Sequence, residues 1–199
     1  MAGMMALGLA GSVPGAVRAE PAASPDDGPD WPGQLKGRHR QVVDGYEING
    51  GMPLVFVHTF LATNKSASGV LILRYKALPL ALRDEMWAKY KIGESFKIID
   101  PETNAPAVKN PFLQPKPGVL LSDDMAVDRL LAKGTIFGAC NVALHALSKK
   151  LASNAGVSAD DAAKEWTANV IPGITIIPSG VWGLNRAQTS GCTYCTGGG

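Results

Sequence analysis

Residues 134–152 read GTIFGACNVALHALSKKLA, and this stretch decides the fold class. After Gly134 comes a short apolar run, 135–139, which suits a strand buried on both faces. A helix starts near Asn141, and Cys140 stands at the junction. Open α/β proteins place their chemistry where a strand ends and a helix begins. A cysteine there faces the positive end of a helix dipole, which favours the thiolate, its reactive form. Cys140 is therefore the candidate catalytic residue.

The same alternation extends in both directions. Residues 39–45, HRQVVDG, suit a strand; 52–63, MPLVFVHTFLAT, taken alone suit a strand too, but a dozen residues without alternation favour a buried helix. Residues 69–75, GVLILRY, form a second buried strand, and Leu82, Met86 and Tyr90 at spacing four indicate a helix over 80–91. Residues 96–121 hold Pro101, Pro106, Pro111, Pro115 and Pro117, so this insertion is expected to be irregular. Ser122 suits the cap of a helix ending at Lys133 before Gly134, and Ser158 caps another, with Asp160 and Asp161 in its first turn. Residues 173–178, GITIIP, give a further strand, Ser179 and Gly180 open a helix through Gln188, and CTYC at 192–195 is the last strand. Apolar strands alternating with helices build a mainly parallel sheet covered on both faces. Its strand ends would gather Asp44, Arg74, Asn141, Ser179 and Gly180 on the same edge as Cys140, where a ligand is expected.

The chain's 199 residues suit a single domain, here 38–199, and a net charge of +2 without a Lys/Arg stripe gives no support for nucleic-acid binding. Residues 1–16 are small and apolar and precede Val17-Arg18-Ala19, so 1–19 resemble a signal peptide and imply export, to the periplasm or beyond. No Lys or Arg precedes Arg18, which suits a truncated leader, of twin-arginine type in one reading. The stretch is too short and glycine-rich for a stable membrane span. Residues 20–37, with several Pro, Asp and Gly, are expected to form a flexible linker.

An exported chain with three cysteines meets an oxidising compartment. Cys192 and Cys195 form a C-x-x-C pair with no helix after it, which leaves open a disulfide, a partnership with Cys140, a pair of metal ligands, or a simple exposed pair on the last strand. A metal centre needs more ligands than one such pair. His58 and His145 lie inside predicted helices, and His145 is about 140° round from Cys140, so both are expected to be packing residues. Arg74 is placed to hold an anion or to favour the thiolate. Ser179 suits a helix cap with backbone N–H groups beside it, and Asp44 suits a turn cap more than a base. No G-x-G-x-x-G, Walker A, H-E-x-x-H or G-x-S-x-G pattern occurs, so no organic cofactor is expected.

The strand ending in Cys140 and the later PGITIIPSGVWGLNRAQTSGCTY together resemble the DsrE/DsrF-like family. Pro172, Gly173, Pro178, Ser179, Gly180, Val181, Arg186, Gln188, Gly191 and Tyr194 stand where that family's pattern PGV-x-V-x-PSGV-x-EL-x-RLQ-x-x-G-x-AY has the same residues. The resemblance covers roughly residues 38–194. It implies a three-layer α/β/α sandwich of about five strands, a homo-oligomer (trimer or hexamer), and a persulfide on the cysteine at the place of Cys140. The leader, the proline-rich insertion and the C-x-x-C pair depart from the family. Trp31, Trp87, Trp166 and Trp182 exceed what a minimal core needs and also suggest oligomer contacts. The functional expectation is an exported protein that handles sulfur or thiols through Cys140, as persulfide carrier or redox partner, with a sulfur-donor or thiol protein as partner. The alternatives are an oligomeric small-ligand-binding module, and a metal-binding protein using Cys192 and Cys195.

Overall fold

The computed structural model describes residues 28–198; the expected signal peptide, 1–19, lies outside the described residues. Five parallel strands form the central sheet: β1 (His39–Gly45), β2 (Ala67–Leu73), β5 (Ile136–Cys140), β6 (Ile174–Ile177) and β7 (Thr193–Thr196). Their spatial order is β6-β5-β2-β1-β7, and every pairing is parallel. The protein is thus an α/β sandwich of three layers.

Alternation along the strands divides the core in two. Val43, Leu71, Leu73, Phe137 and Ala139 face α1 (Met52–Thr63) and α5 (Asn141–Ala155), with α6 (Ala159–Ala168) packed outside α5. Val42, Val70, Ile72 and Ile136 face α7 (Gly180–Thr189), which closes the opposite layer with Trp31 and Leu35. A Cβ on Gly183 would lie 2.4 Å from Ile177 Cδ1, so glycine lets α7 approach the sheet this closely.

Several expectations are corrected. The helix expected over 80–91 is two elements: a 3-10 segment (Tyr75–Ala81) containing Pro79, then α2 (Asp84–Lys89). Leu82 between them pairs with Val170, and Arg83 donates its backbone N–H to Asn169 O, so this backbone is committed to a neighbouring strand-like segment. The helix expected from Ser122 to Lys133 is also interrupted. Ser122 caps only a turn (Asp123–Met125); Ala126 is extended, and α4 (Val127–Ala132) starts afresh. The proline-rich insertion supplies the reason. Its Phe112 and Leu113 carbonyls accept the Val127 and Asp128 N–H groups, two donors that every helix start must satisfy.

That insertion begins at the end of α3 (Ile92–Phe96) and contains a small antiparallel pair, β3 (Ile99–Asp100) and β4 (Ala105–Pro106). Ala107 and Phe112 then enter the main core, so the segment is irregular yet packed. The expected flexible linker is likewise docked from Trp31, which is 2 % exposed, through a short 3-10 turn (Pro32–Gln34) to buried Leu35 and Gly37. Trp87 and Trp166 are fully buried within the single chain. Three of the four tryptophans are therefore spent on its own core and give no argument for subunit contacts. Among the described residues no helix is long and apolar enough to cross a membrane.

Candidate functional site

Cys140 is both the last residue of β5 and the N-cap of α5. The five residues of β5 are all buried, which fixes the strand, and the chain turns at Cys140 directly into a helix of 15 residues. Cys140 Sγ accepts the Ala143 N–H at 3.3 Å, so the sulfur takes the place of the usual hydroxyl or carboxylate cap. The thiol is only 5 % exposed.

A cleft of about 1080 Å³ opens above it. Its near end is built from the segments that follow the strands: Tyr46 after β1, Arg74, Tyr75 and Lys76 after β2, and Ser179 to Val181 after β6. This is the edge expected from the alternation of strands and helices. One wall is a face of α5, with Ala143, Ala146, Leu147, Lys150, Leu151 and Asn154 at three- and four-residue spacing. Ser95, Phe96 and Lys97 at the end of α3 line the far end, where Asn154 Nδ2 donates to Ser95 Oγ at 3.3 Å.

Arg74 and Asp44 meet, but not in the roles expected. Arg74 Nε and a terminal guanidinium nitrogen donate to Asp44 Oδ1 and Oδ2 at 2.7 and 2.8 Å, a bidentate pair. Tyr194 Oη donates to Asp44 Oδ2 at 3.0 Å. Asp44 is 4 % exposed and is not among the lining residues of the cleft; its carboxylate anchors Arg74. Hydrogen bonding to Asp44 raises the Arg74 pKa further, against the opposing effect of burial. Burial, then the bond to Asp44, raises the Tyr194 phenol. The Tyr46 ring covers the guanidinium at 4.5 Å and stacks on Tyr75 at 4.6 Å. Arg74 is therefore held by the protein, and its stem walls the cleft.

Ser179 is an ordinary cap: its Oγ accepts the Trp182 N–H at 3.1 Å. Gly180 is required by the close approach of Arg74, since a Cβ there would lie 2.6 Å from both Arg74 Cβ and Cδ. Both residues line the cleft. Asn141, at the start of α5, is half-buried and is not among the lining residues.

Cys192 and Cys195 do not join the site or each other. All three cysteines are free thiols. Three residues apart on extended backbone, the pair points to opposite faces of the sheet. Cys192 sits in the core beneath α7, whereas Cys195, opposite Val43, packs against the core on the α1 side. Burial pushes the Cys192 thiol up, with Arg40 acting against it. One chain therefore cannot use both sulfurs on one metal, and among the described residues no three His, Cys, Asp or Glu side chains converge. His145 is exposed rather than packed, and His58 is half-buried.

The cleft's charge was missed in the sequence. Arg74, Lys76, Lys97 and Lys150 line it, and among the described residues no carboxylate does. Asp44 satisfies Arg74 and Glu47 satisfies Lys76, at 2.9 Å. Among the described residues, Lys97 and Lys150 have no carboxylate partner. Helical spacing from Cys140 was the available signal for Lys150; nothing local linked Lys97 to it.

Fold and site together define an α/β protein with one cysteine at a strand–helix junction, under a cleft of positive sign. No family model and no curated protein matches the chain. Among solved structures it is similar to MTH1491, a protein of unknown function from Methanobacterium thermoautotrophicum, at 17 % identity and a TM-score of 0.43, over 79 % of this chain and 98 % of that one.

Proposed function

We propose that the protein carries sulfane sulfur on Cys140, as the DsrE-like residue pattern implies. The observation that carries this reading is the position of Cys140. Its sulfur lies at the helix N-terminus, on the floor of a cleft whose lining, among the described residues, has cationic and no anionic side chains. The helix N-terminus beside the sulfur suits a step whose product, a persulfide, is an anion.

The step is an exchange. Cys140 S⁻ attacks the outer sulfur of a donor R–S–SH; a new S–S bond forms to Cys140, the donor's S–S bond breaks, and R–S⁻ leaves. The donor's proton moves to the leaving thiolate, so the products are the Cys140 persulfide anion and R–SH, and no outside oxidant is consumed. Reversal toward an acceptor thiol returns the sulfur.

The test is to incubate the reduced protein with glutathione persulfide and measure glutathione released against sulfur bound. The reading expects close to one sulfur per chain, lost in Cys140→Ser and kept in Cys192→Ser. A second reading, a ligand-binding module with Cys140 merely packed, draws on the thiol's 5 % exposure. It predicts no loading in any of these proteins.

A further inference from the structure

The shape and charge of the cleft restrict the donor, granting that Cys140 is the reacting thiol. Cys140 is 5 % exposed, so a donor sulfur fixed in a globular protein surface would be kept from the Cys140 sulfur. The cleft is far larger than an inorganic sulfur anion, at about 1080 Å³. It is also polarised along α5. From Cys140 the wall runs over Ala143, Ala146, Leu147 and Leu151, an apolar strip continued across the cleft by Phe96. Val142, 62 % exposed, and Val181, 68 % exposed, flank the thiol end. At the other end stand Lys97 and Lys150, without carboxylate partners among the described residues, beside Ser95 and Asn154. Lys150 lies ten positions after Cys140, which along a helix is roughly 15 Å.

We infer that the cleft takes a linear organic anion: sulfur at one end, an apolar chain along α5, and a carboxylate or phosphate held by Lys97 and Lys150 at the other. A narrow chain reaches a recessed thiol where a sulfur held on the surface of a globular protein cannot. The apolar strip and the lysines are spaced for a chain of about a dozen methylenes, at roughly 1.25 Å each. Release of water from that strip supplies the attraction, and the lysines set the direction of entry. A donor of the opposite polarity would place its anion at the end where Arg74 and Lys76 already hold carboxylate partners, and would leave Lys97 and Lys150 unmatched.

The test separates binding from sulfur chemistry by using Cys140→Ser. Dodecanoate and dodecyl phosphate, below their micelle-forming concentrations, are titrated calorimetrically against hexanoate and dodecyltrimethylammonium. The inference expects the two long anions to bind, with at least about tenfold weaker binding of hexanoate and none of the cation. It expects the Lys97→Ala/Lys150→Ala variant to lose about tenfold, the effect of two partly solvated ion pairs. Ala146→Asp, which sets a carboxylate in the apolar strip, should abolish binding. The tighter of the two anions identifies the head group. Absence of binding, or binding unaffected by the lysines, overturns the inference, whatever glutathione persulfide does at Cys140. Lysine-dependent binding with no sulfur loading of the wild-type protein overturns it as a statement about a donor, because the fault then lies in the reading of Cys140.

Discussion

Removing the Asp44 carboxylate tests the anchor beneath the cleft. Asp44→Ala deletes a bidentate charge-assisted pair with Arg74 and the acceptor of the Tyr194 hydroxyl. Breaking a fully buried pair from one side costs about 3–5 kcal/mol, chiefly because the surviving charge is stranded. Here the surviving guanidinium side chain is 26 % exposed, so water reaches part of it and the cost falls below that range. The lost Tyr194 bond adds little, because that ring is 50 % exposed and its hydroxyl can turn to water. The expected loss is about 2–3 kcal/mol. For a chain of this size that lowers the urea midpoint by about 1 M and Tm by about 5–10 °C. Equilibrium urea unfolding, followed by tryptophan fluorescence, measures it. Tyr194→Phe is the control and should cost no more than about 1 kcal/mol. Asp44→Leu combined with Arg74→Met should recover part of the loss, since no stranded charge remains. An Asp44→Ala protein within about 0.5 kcal/mol of wild type, or a Tyr194→Phe protein as damaged as Asp44→Ala, would refute the reasoning.

Further outcomes follow from other contacts. Gly180→Ala puts a Cβ 2.6 Å from Arg74 Cβ, which cannot swing aside, so α7 must move outward; a loss of about 1–3 kcal/mol in the same unfolding assay is expected. Glu165 accepts bonds from Lys89 and Tyr90 that outweigh the upward push of burial and hold its pKa below the usual carboxylate value. A depressed carboxylate stabilises the fold above its unfolded pKa and loses that contribution as pH falls through the folded value. The stability gap between wild type and Glu165→Gln should therefore shrink as pH drops from about 6 to 3. Burial both hides the Cys192 thiol and raises its pKa, so native-state iodoacetamide at pH 8 should modify it more slowly than the half-buried Cys195 until the chain unfolds. Peptide mapping over time reads this directly.

The sequence made the central architecture legible where one element carried one clear signal. β1 and α1 have the expected bounds, and Ser158 and Ser179 cap the expected helices. Cys140 falls at the expected junction because a wholly apolar strand must end before a helix can begin. The failures arose where distant backbone intervened. Leu82, Met86 and Tyr90 keep helical spacing, yet Leu82 belongs to a bridge with Val170 that no local pattern announces. Ala126 is extended because carbonyls from the proline-rich segment meet the next helix. Within the site, Arg74 and Cys140 were legible as strand-end residues. The Asp44–Arg74 pairing depends on the register of β1 with β2, which fixes Asp44 opposite Ile72, two residues before Arg74. Lys97 comes to the far end of α5 through long-range contacts: Asn154 donates to Tyr90 O and Ser95 Oγ, and Phe96 packs against the core.

The most direct measurement is the intact mass of the reduced protein after polysulfide treatment, with non-reducing peptide mapping, in wild type and in Cys140→Ser. A gain of one sulfur atom, mapped to the Cys140 peptide and absent from Cys140→Ser, is the result this account predicts. No added sulfur, or sulfur found only on Cys195, would contradict it.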